Sequence, residues 1–170
     1  IAITDTAAVL APSHAAKNAP LFTMPHQYEA CEAILLRNSV GRIAFALQDR
    51  VSVVPVHYVY DAGWIYGRTA AAGKLRGILR NRRVAFEVDE HTQLFAWQSV
   101  VVRGPLYLLE PGTSASDRRL YAKAVSLIRM LLPSALTDSD PVPFRDQLLL
   151  IRVAEVPCRT SAPIAGAHRV

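Results

Sequence analysis

Alternation of apolar and polar positions dominates the middle of the chain. Ile43, Phe45 and Leu47 alternate with Arg42, Ala44 and Ala46, the period-two pattern of a half-buried strand. Gln48-Asp49-Arg50 is a short polar break, so Val51 to Tyr60 is predicted to return antiparallel as a hairpin. Asp61-Ala62-Gly63 turns the chain again, into a third strand from Trp64 to Thr69. Val84, Phe86 and Val88 mark a fourth strand, and Ser99 to Leu109 a long fifth one, ended by Glu110-Pro111-Gly112. Gln147 to Val153 is the last.

Three stretches carry a helical signal. Thr23 is placed to cap a helix whose stripe is Tyr28, Cys31, Leu35 and Asn38, with Ile34 beside it. Ala70 to Asn81, rich in Ala, Leu, Lys and Arg, reads as a short helix. Leu120, Ala124, Leu127 and Leu131 recur at helical spacing, with Asp117 in the first turn and Pro133 as the stop. Short turns and the lack of a βαβ rhythm predict a mainly β fold, an antiparallel barrel with a few covering helices. Residues 1–22 read as a tail or arm, 23–160 as one domain and 161–170 as a second tail.

Of the 170 residues, 51% are hydrophobic and 19% charged, enough apolar material for a core and too much for disorder. No apolar run reaches the ~20 residues that span a bilayer, and no basic segment leads into an apolar one at the start, so neither a membrane partner nor a secretory leader is expected. The chain opens on Ile1 rather than Met, as a trimmed or partial chain would. The net charge is +5, but the cations are scattered apart from Lys74 to Arg83 and Arg118-Arg119, which argues against nucleic acid. Cys31 and Cys158, far apart, make neither a disulfide framework nor a metal site, so a reduced cytoplasmic setting is expected.

Dinucleotide, Walker and nucleophile-elbow motifs are all absent, and the five histidines have no metal-ligand spacing. Asp89 and Glu90 read as the solvated end of the fourth strand, and no residue is singled out as catalytic. The informative stretch is the exit of the third strand, Tyr66-Gly67-Arg68-Thr69, followed by small residues and then Lys74-Leu75 at a predicted helix start. Cations, a hydroxyl and a helix N-terminus suit an anion such as phosphate. On the residues alone, a plain loop with solvated cations explains the stretch equally well.

Five ordered pieces resemble the pyridoxamine 5′-phosphate oxidase-like FMN-binding split barrels. They are Val40-Gly41-Arg42-Ile43-Ala44-Phe45, Val54 to Tyr60, Arg68-Thr69 with Gly73-Lys74-Leu75, Val84 to Asp89, and Trp97-Gln98-Ser99-Val100-Val101-Val102-Arg103-Gly104. The match is nearest to the small bacterial flavin-nucleotide branch that includes nitroimidazole-resistance-like proteins. The resemblance implies a homodimer with FMN in a groove between subunits. Pro55, Val56, His57 and Tyr58 would run along the ring, and Tyr66, Gly67, Arg68, Thr69, Lys74 and Leu75 would form the phosphate segment. Trp97, Ser99 and Val100 would flank the site.

Departures from the family pattern narrow the expectation. Gly73 stands where the vitamin B6 oxidases carry Arg, and Ala72 replaces a common hydroxyl residue, so two phosphate donors are lost. The Arg-x-His signature for pyridoxal phosphate is missing near the C-terminus, and Arg159 falls where relatives often have Gly-Arg. The implied function is an FMN-dependent oxidoreductase of unidentified substrate, with pyridoxamine phosphate oxidation not expected. F420 reduction on the same fold and a non-catalytic flavin- or haem-binding module are the alternatives. On the residues alone, His57 reads first as a structural histidine and second as a proton donor.

Overall fold

The computed structural model of the protein describes residues 25–47, 49–70, 82–94, 96–156 and 158–160. Among them run α1 (Pro25–Arg37), β1 (Val40–Leu47), β2 (Arg50–Asp61), β3 (Trp64–Thr69), β4 (Arg83–Gln93), β5 (Ala96–Leu109), α2 (Ala115–Leu131), β6 (Gln147–Arg152) and β7 (Cys158–Thr160). The strands form one sheet in the order β4-β1-β2-β3-β6-β5-β7, and β4 pairs again with β5, so six of them close a ring. All pairings are antiparallel. This is a split barrel.

Local chemistry explains the hairpins. Both Ala62 and Gly63 take positive φ, at 47° and 81°, as a two-residue turn between right-twisted strands requires. In α2, Ser114 caps the helix by accepting the Asp117 N–H at 3.0 Å.

Alternation sorts side chains into two cores. The barrel interior holds Ile43, Phe45, Val56, Tyr58, Ile65, Val84, Phe86, Val88, Val100, Val102 and Leu106, closed by Cys31, Ile34 and Leu35 of α1. Outside the barrel, α2 packs Ala124 and Ile128 over Tyr66, Leu148 and Leu150. Ala124 and Ile128 are thus the deep members of the α2 stripe, whereas Leu131 is 42% exposed.

The closure point tolerates no side chain. β5 pairs with β4 through Pro105 and with β6 from Leu106 onward. At the changeover the Arg103 carbonyl accepts both the Ala154 and Glu155 N–H groups at 3.1 Å. A Cβ built on Gly104 would lie 1.8 Å from the Arg152 carbonyl oxygen.

The structure extends and corrects the sequence reading. β4 continues to Gln93, so Asp89 and Glu90 are strand residues with partners and not a solvated strand end. β7 was not predicted: at three residues it is too short to show alternation. Residues 71–81 of the predicted third helix, and both tails at 1–22 and 161–170, lie outside the described residues.

The Gly104→Ala variant is expected to lose about 1–3 kcal/mol or more of stability, because backbone must move to admit the methyl group. Urea denaturation at 25 °C measures it. A loss below 0.5 kcal/mol would show that the β5 changeover is less tightly packed than its geometry states.

Candidate functional site

Strand alternation divides the predicted site residues by face. Val56, Tyr58 and Val100 point into the barrel and are at most 1% exposed. Tyr58 is a core residue: its hydroxyl donates to the Leu35 carbonyl at 2.9 Å, and its ring stands edge-on to Phe86 at 4.8 Å. Only the backbone of these positions is left for a ligand. Tyr66, on the opposite face, lies under α2 with the Lys123 ammonium 5.5 Å from its ring centre. Gly67 is buried between β2 and β6.

Arg68 departs from the expected open cation. It is 2% exposed, and both terminal nitrogens donate to Asp140, at 2.5 and 3.0 Å. The Asp140 carboxylate also accepts the N–H groups of Leu136 at 2.7 Å and Val142 at 3.0 Å. Asp140 is 8% exposed. Its bond to Arg68 holds its carboxyl well below the usual carboxylate range. The pair is therefore an internal brace that fixes the exit of β3 to the connection between α2 and β6. Nothing in the local sequence around Asp140 announces this partner.

His57 faces outward and is the register partner of Arg68. Partial burial pulls its proton affinity down, and the positive charges of Arg145 and Arg68 pull it down further, so the ring is neutral at pH 7. Arg145 is half-buried, and among the described residues no hydrogen bond or ion pair engages its side chain. Sequence reasoning missed Arg145 because it sits in a non-repeating loop. Its one signal is a position two residues before β6. Thr69, nearly buried, ends β3 opposite Gln147. Lys74 and Leu75 lie outside the described residues.

Ser99 and Trp97 stand at the start of β5, half-buried, with Ser99 opposite Asp89 of β4. No strand pairing joins them to Arg68 and Thr69, since β5 meets β6 only from Leu106 onward and β3 and β5 are not neighbours. Around the ring, β4, β1 and β2 separate the two groups on one side and β6 on the other. Pro55 and His57 share the outer face that lies between the two groups.

That outer face is apolar at its middle. Val51 and Val53 of β2 are 77% and 59% exposed and sit opposite Ala46 and Ala44 of β1. Charges line one side: Arg42 pairs with Glu87 at 3.1 Å and with Asp89, and His91 meets Asp89 at 2.5 Å. No cluster of three or more metal-ligating side chains occurs among the described residues, and none of their helices is long and apolar enough to cross a membrane.

An antiparallel six-strand ring with one uncovered face defines a split-barrel protein. The family model for pyridoxamine 5′-phosphate oxidase matches residues 27–157, and the chain belongs to that family. It is similar to a solved FAD-binding protein of Mesorhizobium loti, at 26% identity and a TM-score of 0.62, covering 78% of this chain and 93% of that one. A second FAD-binding protein, from Mycobacterium smegmatis, shares the fold at 20% identity and a TM-score of 0.57, covering 78% and 94%. So does a Bacteroides thetaiotaomicron protein described as a 5-nitroimidazole antibiotic resistance protein, at 17% identity and a TM-score of 0.56, covering 76% and 81%.

Removing one half of the brace should cost more than removing both. Asp140→Ala leaves a buried guanidinium unpaired, so its melting temperature is expected to fall by several degrees more than that of a Arg68→Met, Asp140→Leu double variant. Because the folded carboxyl titrates below its unfolded value, its contribution is present above about pH 4 and is lost as pH falls below it. Melting curves from pH 7 to pH 3 check both; equal losses in the single and double variants would refute the brace.

Proposed function

We propose that the protein binds a flavin nucleotide, FMN in the first instance, in a groove between two copies of itself and serves as a flavin-dependent oxidoreductase. The observation that carries this reading is the uncovered sheet face with a candidate ligand group at each end. The end of β3, where Thr69 is buried on the barrel side with Lys74 beyond it in sequence, lies at one end, and Trp97 and Ser99 lie at the other. Within one chain they lie on strands that do not pair with each other. A second copy placed face to face brings the Ser99 end of one protomer to the Thr69 end of its partner. Burying Val51 and Val53 supplies an apolar driving force for that contact.

The donor set suits the cofactor. The outer strip of β2 offers Pro55 and a neutral His57, which suit a flat, largely apolar ring. Backbone groups of Val56 and Tyr58 can meet the ring's polar edge, since their side chains are committed to the core. The hydroxyl of Ser99, the ammonium of Lys74 and the backbone at the Thr69 end of β3 would be donors for ribityl and phosphate oxygens. Arg68 acts one step back, by fixing the strand that carries Thr69. Bound flavin would supply the electron-accepting chemistry, and the protein would position its substrate. Family membership and the FAD-binding solved neighbours support flavin, and FMN and FAD share the ring, ribityl chain and first phosphate.

Titration of the purified protein with FMN, FAD and F420, followed by visible spectrum and thermal shift, tests the reading. FMN at about 100 times its Kd is expected to add roughly 2.7 kcal/mol, or several degrees in Tm. No spectral change and no stabilisation by any flavin would end it. Light scattering is expected to give twice the chain mass, and Val53→Glu is expected to yield monomers that have lost flavin. A monomeric wild-type protein that still binds FMN tightly would refute the shared groove.

A further inference from the structure

Arg145 is the one cation near the β3 exit for which the described structure supplies no counter-charge. Asp146, its exposed chain neighbour, makes no ion pair with it, and the buried carboxylate of the same connection, Asp140, is saturated: one oxygen accepts from Arg68 and the Leu136 N–H, the other from Arg68 and the Val142 N–H. No acceptor site is left there for a second guanidinium. Arg145 is nevertheless half-buried, so it gives up part of its hydration without a protein partner in return.

Its position is fixed by the backbone. The Arg145 N–H donates to the Val142 carbonyl at 3.0 Å, and Val142 is itself tied to Asp140. Gln147 is the register partner of Thr69, so Arg145, two residues earlier, stands just past the end of β3. Its charge reaches His57, which lies across the sheet from Arg68 on the outer face. The connection that carries Arg145 is thus preorganised by the same brace that aligns Thr69, and a guanidinium fork matches two phosphate oxygens at once.

We infer that Arg145 is a phosphate-binding residue of the cofactor site, pairing with the ribityl phosphate and supplying the positive charge that Arg68, neutralised by Asp140, does not. The assignment rests on the flavin reading and deepens it. It also implies that the site discriminates flavins by their phosphate, since riboflavin presents the same ring with nothing for Arg145 to hold.

Binding of FMN and of riboflavin to the wild-type chain, Arg145→Ala and Arg145→Gln, by fluorescence titration, decides it. The two variants are expected to bind FMN about 10- to 100-fold more weakly, with riboflavin affinity changed less than about twofold. Inorganic phosphate should compete with FMN in the wild type and much less in the variants. If wild type binds FMN and both variants bind it equally well, or lose FMN and riboflavin alike, Arg145 is not the phosphate ligand and the flavin reading stands. If wild type binds neither flavin, the flavin reading itself falls.

Discussion

Two charges taken out of water cost several kcal/mol each unless their mutual attraction and further hydrogen bonds offset it, and the Asp140 carboxylate that faces Arg68 has both oxygens fully engaged. The carboxylate accepts four hydrogen bonds, two from the guanidinium and two from the backbone of its own loop. The strand end that carries Thr69 and the loop that carries Arg145 are therefore not independent. Each is placed by the same buried charge pair, and the outer-face geometry follows from it. Hydrophobic burial would fold this barrel without such a pair. What the pair adds is a defined position for two segments that alternation alone leaves loose.

Much of the barrel was legible because period-two alternation is a local signal. β3 was placed at its observed limits, and β1, β2, β5 and β6 to within a few residues. The end of β4 was lost because Asp89, Glu90 and His91 break the apolar rhythm. They sit in the strand by virtue of long-range partners: Glu90 receives bonds from Arg37 and Asn38 of the helix end, and Asp89 is bonded by Arg42 of β1. β7 depends entirely on pairing with residues 98–100 of β5.

The candidate site was legible as a set of residue types and not as an arrangement. Arg68 next to Thr69 reads the same whether the guanidinium faces solvent or a carboxylate 72 positions later. Only the fold decides, and it buries Arg68 beneath the connection between α2 and β6. Tyr58 shows the same limit: an aromatic amid candidate ring-binding residues is in fact the interior neighbour of Phe86. Arg145 went unnoticed for the opposite reason, since its significance comes from the absence of a partner, which no sequence pattern expresses.

Chain connectivity sets an order in which this barrel can be assembled. β1, β2 and β3 are joined by short turns, and β4 and β5 by an equally tight one, so those pairings close small loops cheaply. β6 must reach back to β3, with Thr69 and Gln147 78 positions apart. That union carries the largest entropic charge in the topology and belongs to the late stage of folding. Gly104 lies at the seam where β5 leaves β4 for β6, so a position where any side chain would strike backbone is also where the ring is sealed.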